Sequence, residues 1–199
     1  MDCKMMKLST AQFTRVLPTW HAKFGCWRPN LRVLTTNLET EISKKSTNIG
    51  YLDMNDLLNI LKWGDPNDRH DLAEKLRDNN TDEEIQKNTK EAIQYLSKGN
   101  WRAALGSLDG IDYWGFTYGT KTLRLICPQH YPALDRKLRN GIKVLRLRRS
   151  DTSYGQFINL CHSIQKNILD PGPRPDGSWW IADVEMALYT FVRQGNELI

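Results

Sequence analysis

Ile111-Asp-Tyr-Trp-Gly-Phe-Thr-Tyr-Gly-Thr-Lys-Thr-Leu-Arg-Leu-Ile126, with Cys127-Pro-Gln-His-Tyr-Pro-Ala-Leu-Asp135 behind it, is the stretch that decides how this chain is read. An aromatic turn holding Gly115 and Gly119 separates two apolar helical runs. Glycine tolerates positive φ and lets backbone approach closely. Gly119 directly precedes Thr120, Lys121 and a new helical pattern. The start of that helix is therefore expected to offer unpaired N–H groups to an anion. A plain connection between helices has the same composition, so the turn alone leaves both readings open.

The following segment is expected to open a helix with Pro132 in its first turn, where proline is allowed. Asp135 falls near that start, where the helix dipole favours an ionised carboxylate. At about 100° per residue, Arg136, Arg139, Lys143 and Arg146 share one face. Leu134, Leu138, Ile142 and Leu145 share a neighbouring one. One stripe packs inward and the other meets solvent or phosphate.

Charge concentrates in the same place. The 199 residues carry a net +5, while the seven cations from Arg136 to Arg149, with no acid among them, carry +7 and leave −2 for the rest. A near-neutral body with one basic segment points to a localised polyanion contact. A solvated helix face is the other reading of the charge.

Outward from this segment the apolar spacing is helical. Leu31, Leu34, Leu38 and Ile42 repeat at three- and four-residue steps, as do Leu57, Leu58 and Leu61, and Ile85, Ala92, Ile93 and Leu96. So do Phe157, Leu160, Cys161, Ile164 and Ile168, and then Val184, Ala187, Leu188, Phe191 and Val192. Single-stripe amphipathic helices must share a core. Asp53 and Thr81, the latter with Glu84, read as helix caps, Asp183 as the cap of the last helix, and Gly195 as the residue past its end. Residues 170–178 hold three prolines and two glycines and read as a loop. Val144–Arg148 alternates but is too short for a strand. The expectation is an all-α fold in a single compact domain over 1–199, with the hairpin segment at 111–142.

No apolar run is long enough to span a bilayer, and residues 1–10 lack a signal-like core. The expected setting is intracellular, cytoplasmic or nucleoid-associated, without export. Cys3, Cys26, Cys127 and Cys161 form no CxxC pair and the four histidines are scattered, so free thiols and no metal site are expected.

Gly119-Thr-Lys121-Thr resembles the end of the hairpin in helix-hairpin-helix DNA glycosylases. Leu134-Asp135-Arg resembles their downstream aspartate segment. The interval between Lys121 and Asp135, with Pro128, Tyr131 and Pro132 inside it, is most similar to the 8-oxoguanine-glycosylase-like branch. Trp180-Ile-Ala-Asp-Val-Glu-Met-Ala-Leu188 also looks like that branch. The resemblance is strongest over 111–142, looser over 53–66 and 178–195, and does not reach residues 1–50. One departure stands out. Thr117 occupies the position of the usual second hairpin glycine, with Gly115 two residues further back.

What the resemblance implies is base excision. Lys121 is then the nucleophile and Asp135 its activator or the support of the sugar cation. Gly115, Thr117, Gly119, Thr120, Arg136, Arg139, Lys143 and Arg146 are the expected DNA contacts. Trp114, Phe116 and Tyr118 are candidates for stacking on an extruded base; filling the core between helices is the alternative for such aromatics. Damaged duplex DNA is the expected partner and no cofactor is implied, since no four-cysteine cluster motif follows. Two other readings stay open: a non-catalytic DNA-binding module of glycosylase fold, in a defence or mobile-element system, and a helical scaffold whose basic face binds a protein.

Overall fold

The computed structural model describes residues 6–68 and 70–199, so the readings made on Cys3 and the first five residues lie outside it. Helix makes up 65% of the fold and strand 3%, which places the chain in the all-α class. In order, the helices are α1 (Thr10–Ala22), α2 (Leu31–Asn48), α3 (Met54–Gly64), α4 (Leu72–Asn79) and α5 (Asp82–Ser97). Then come α6 (Trp101–Asp109), α7 (Gly115–Ile126), α8 (Arg136–Gly141), α9 (Asp151–Lys166) and α10 (Ile181–Arg193). Two short strands, β1 (Lys7–Leu8) and β2 (Glu197–Leu198), pair in parallel. Two residues per strand are too few to leave an alternating pattern in the sequence.

Contacts divide the chain into two compact units, Met1–Leu31 with Gln129–Ile199, and Arg32–Pro128. The first is built around α10. Every residue from Ile181 to Leu188 is buried, as an interior helix requires. Phe13 and Trp20 of α1 meet Phe191 at centroid distances of 5.1 and 5.3 Å. The short helix α8 approaches α10 at Gly141, where a Cβ would overlap the side chain of Val192. Asp183 is not the cap residue of α10. Trp180 holds that position, and the Asp183 carboxylate reaches back to accept its N–H at 2.9 Å. Arg174 donates to the same carboxylate through Nε and Nη2, each at 2.9 Å, and so ties the proline-rich loop to the helix. Gly195 follows α10 with φ +83°, the left-handed geometry expected after a helix end.

In the second unit, Leu57, Ile60, Leu76, Ile85, Ala92, Leu108, Leu123 and Leu125 form the core. Both expected caps are present: Asp53 with Asp56 opens α3, and Thr81 with Glu84 opens α5, each as a reciprocal capping box. The inward face of α2 departs from its apolar spacing. Leu34 is exposed, while Thr35, Glu39 and Ser46 are buried beside Leu38 and Ile42. Buried polar groups need partners, and Thr35 and Glu39 find them in Trp63 and Arg124, described below.

Candidate functional site

The chain enters α7 through a turn at residues 111–114. Asn80 clamps that turn from α4's end: its Oδ1 accepts the Asp112 N–H at 2.8 Å, and its Nδ2 donates to the Asp112 carbonyl at 3.1 Å. Tyr113 at φ +64° and Gly115 at φ +51° both take the left-handed region, which glycine adopts without strain at the second position. The helix begins at Gly115 and runs through Gly119 without interruption. This corrects the expectation of a helix starting after Gly119. Gly119 and Thr120 are buried in the helix interior, where their N–H groups belong to the helix ladder and do not form a phosphate cradle. Gly119 serves packing instead, since a Cβ there would stand 3.1 Å from Leu105 of α6. The N–H groups that precede the ladder of α7 lie in its first turn, which opens at Gly115.

Lys121 therefore lies six residues into α7, about 9 Å along the axis. Its side chain is half-buried. Nζ stands 4.5 Å from the ring centroid of Tyr118, one turn back, and 5.8 Å from that of Trp63 on α3. Trp63 is held by its indole N–H, which donates to Thr35 Oγ1 at 2.9 Å. One turn beyond Lys121, Arg124 is fully buried, 3.1 Å from Glu39 and 5.4 Å from the Trp63 ring. A cation near an aromatic face is attracted by the ring quadrupole, more strongly when water is excluded. Trp63 is readable from sequence only as an aromatic that either stacks on a base or fills the core, and Thr35, Glu39 and Arg124 carry no signal there, because what joins them is contact between distant segments.

Of the three expected base-stacking aromatics, Trp114 is only 2% exposed and donates its indole N–H to Thr122 Oγ1 at 3.0 Å. Its ring belongs to the core, stacked 4.9 Å from Tyr118, and is closed to an incoming base. Tyr118 faces the Lys121 amine, and Phe116 is half-buried.

Asp135 belongs to the other unit. It caps α8, accepting the Leu138 N–H at 2.9 Å. The approach to it, residues 131–134, is buried and irregular, with the Pro132 carbonyl accepting from the Tyr154 hydroxyl at 2.8 Å. Pro132 thus precedes the helix instead of lying in its first turn. Tyr189 of α10 feels Asp135: burial pushes its phenol pKa up, and the Asp135 charge adds to the rise.

The basic face is shorter than the expected helix. α8 ends at Gly141, a 3-10 turn covers Lys143–Leu145, and Arg146 takes φ +47°. Arg136 and Arg139 share one helical turn, while Lys143 and Arg146 stand outside it, exposed. Lys143 lies 3.6 Å from Glu197. Burial, followed by the charge of Arg149, lowers the Arg139 guanidinium below its ordinary pKa, and Arg136 adds to this. Arg139 thus feels the like charges of Arg149 and Arg136, which the Asp135 carboxylate partly offsets. The first unit holds 15 Lys and Arg against 8 Asp and Glu, a net +7; the second holds 13 against 15, a net −2. The whole cationic excess falls in the unit that carries Asp135.

Among the described residues, no three His, Cys, Asp or Glu side chains converge to hold a metal ion, and no helix is long and apolar enough to cross a membrane. Comparison with protein-family models, curated proteins and solved structures finds no match to the chain.

Proposed function

We propose that this protein is a DNA base-excision glycosylase with strand-cleaving lyase chemistry, acting on an oxidised purine through Lys121. The observation that carries the reading is the half-buried Lys121 amine set against the faces of Tyr118 and Trp63. Two features of the other unit add support: an Asp135 carboxylate fixed by its cap bond, and a net charge of +7. In this chemistry Nζ, once neutral, attacks the sugar C1′. The C1′–N bond forms as the bond to the base breaks, and the base leaves with the electron pair and takes up a proton. Opening of the sugar gives a Schiff base, from which loss of a C2′ proton expels the 3′ phosphate. A carboxylate in the role of Asp135 stabilises the cationic character at C1′. Arg136, Arg139, Lys143 and Arg146 supply phosphate contacts, joined by Arg149 and by the N–H groups at Gly115 and Thr117.

Incubation with duplexes that each bear one lesion, followed by borohydride, tests the reading. A covalent protein–DNA adduct is expected, and Lys121→Gln abolishes it while DNA binding persists. Absence of base release and of any adduct across a broad lesion panel overturns the catalytic assignment. Affinity is expected to fall with salt, and each phosphate-contacting cation removed lowers the log–log slope by about 0.9.

The position of Lys121 inside α7, with its amine already engaged by two rings, favours a second reading: a DNA-binding module without chemistry. On that reading Lys121→Gln changes affinity alone, and no lesion yields an adduct.

A further inference from the structure

Gly64 is the last residue of α3 and is exposed. Glycine at a helix end usually serves a positive φ. Gly64 has none, so its backbone is open to any residue. What its bare Cα provides is room. A Cβ built there would overlap Lys121 Nζ and come within 3.2 Å of Lys121 Cε and 3.3 Å of the Tyr118 ring. The amine thus sits in a notch with Gly64 as its floor and the rings of Tyr118 and of Trp63, the neighbour of Gly64, beside it. Thr35 fixes the Trp63 wall through the indole hydrogen bond, and the Arg124–Glu39 pair lies behind it.

The geometry points to Gly64 as a positioning residue: its missing side chain seats the Lys121 amine beside two aromatic rings and so sets where that amine is presented. This inference deepens the base-excision reading, on which the seated amine is the nucleophile. The neighbour that a Cβ would strike is the tip of a flexible side chain, so the lysine yields and the fold does not. Gly64→Ala therefore separates positioning from stability. Alanine is the better helix former, and the melting temperature is expected to hold or to rise by about 2–4 °C.

The test pairs two readouts. In the first, Gly64→Ala lowers the yield of borohydride-trapped DNA adduct at least tenfold, with DNA affinity within twofold of wild type. The second needs no activity: a low dose of acetic anhydride, with acetylation of each lysine quantified by mass spectrometry. Expulsion from the notch exposes the amine, so Lys121 is labelled at least threefold faster in Gly64→Ala, while Lys62 and Lys98 keep their wild-type rates. Tyr118→Leu, which removes one wall, gives the same rise. Unchanged or slower Lys121 labelling in both variants overturns the seat, even where the wild type traps DNA normally. Faster labelling with no adduct from the wild type on any lesion upholds the seat and overturns the base-excision reading.

Discussion

Glu39→Gln removes a carboxylate partner of Arg124, the most deeply buried cation among the described residues, and keeps the side chain's shape. The Arg124 side chain has no exposed surface, Glu39 only 4%, and their charged atoms stand 3.1 Å apart. Breaking a buried pair from one side leaves the other charge uncompensated, at a cost of about 3–5 kcal/mol. The Trp63 face, 5.4 Å from the guanidinium, persists in the variant and retains part of the electrostatic support. That places the expected loss at the lower end, about 3 kcal/mol. With a urea dependence of about 2 kcal/mol per molar, the unfolding midpoint drops by about 1.5 M. Far-UV circular dichroism in a urea titration measures it. Replacing both partners, as Glu39→Leu with Arg124→Met, removes the stranded charge and is expected to recover most of the loss. A cost below about 1 kcal/mol for Glu39→Gln, or a double variant no more stable than the single, refutes the argument that the pair is held in a dry interior. The same experiment bears on the lysine notch. Arg124 and Lys121 share the Trp63 ring, so loosening the pair is expected to raise acetylation of Lys121 as well.

Three further outcomes follow from other parts of the molecule. Burial alone raises the Asp183 carboxyl, but the His21 imidazole 3.5 Å away and the hydrogen bonds from Arg174 outweigh it and hold the group below its ordinary 3.8. Its contribution is therefore complete above that value and lost as pH falls through the lower folded value; Asp183→Asn flattens the acid limb of a pH–stability curve and costs about 3 kcal/mol at neutral pH. Gly141→Ala drives a methyl into Val192 and is expected to cost about 1–3 kcal/mol in urea unfolding, with Val192→Ala restoring part of it. Burial, with the charge of Glu185 adding to it, pushes the Cys161 thiol well up, while Cys26 is exposed; iodoacetamide is expected to label Cys26 in the folded protein and Cys161 only after denaturation, as read by mass spectrometry.

Much of the secondary structure was legible because its signals are local. A cap and its partner lie three residues apart, and Thr81 with Glu84 forms the box that this spacing implies. Val184, Ala187, Leu188, Phe191 and Val192, the residues that the helical period picks out in α10, are all buried, but so is every residue from Ile181 to Leu188, which the period does not show. Asp135 at the head of a helix belongs to the same class of inference. The reading failed where local pattern and tertiary demand diverged. An unbroken helix from residue 136 to 146 satisfies the periodicity, yet α8 stops at Gly141, which lies against Val192. Gly119 looked like a turn residue because glycine usually is one, but here it marks close approach to Leu105 inside a helix.

The candidate site divides along the same line. From sequence alone came the helical class, Lys121 and Asp135 as residues to watch, and the basic run behind Asp135, each readable from composition or from spacing along one segment. Tertiary structure decided what surrounds them: the Gly64 notch and the Trp63 and Tyr118 faces at Lys121, the Glu39–Arg124 pair behind it, and the charge of Arg149 felt at Arg139. Apart from Tyr118, one turn from Lys121 on α7, these contacts join residues that lie far apart along the chain or beyond the end of a helix. A repeat of three or four residues says which face turns inward, and carries no record of which other face it will meet.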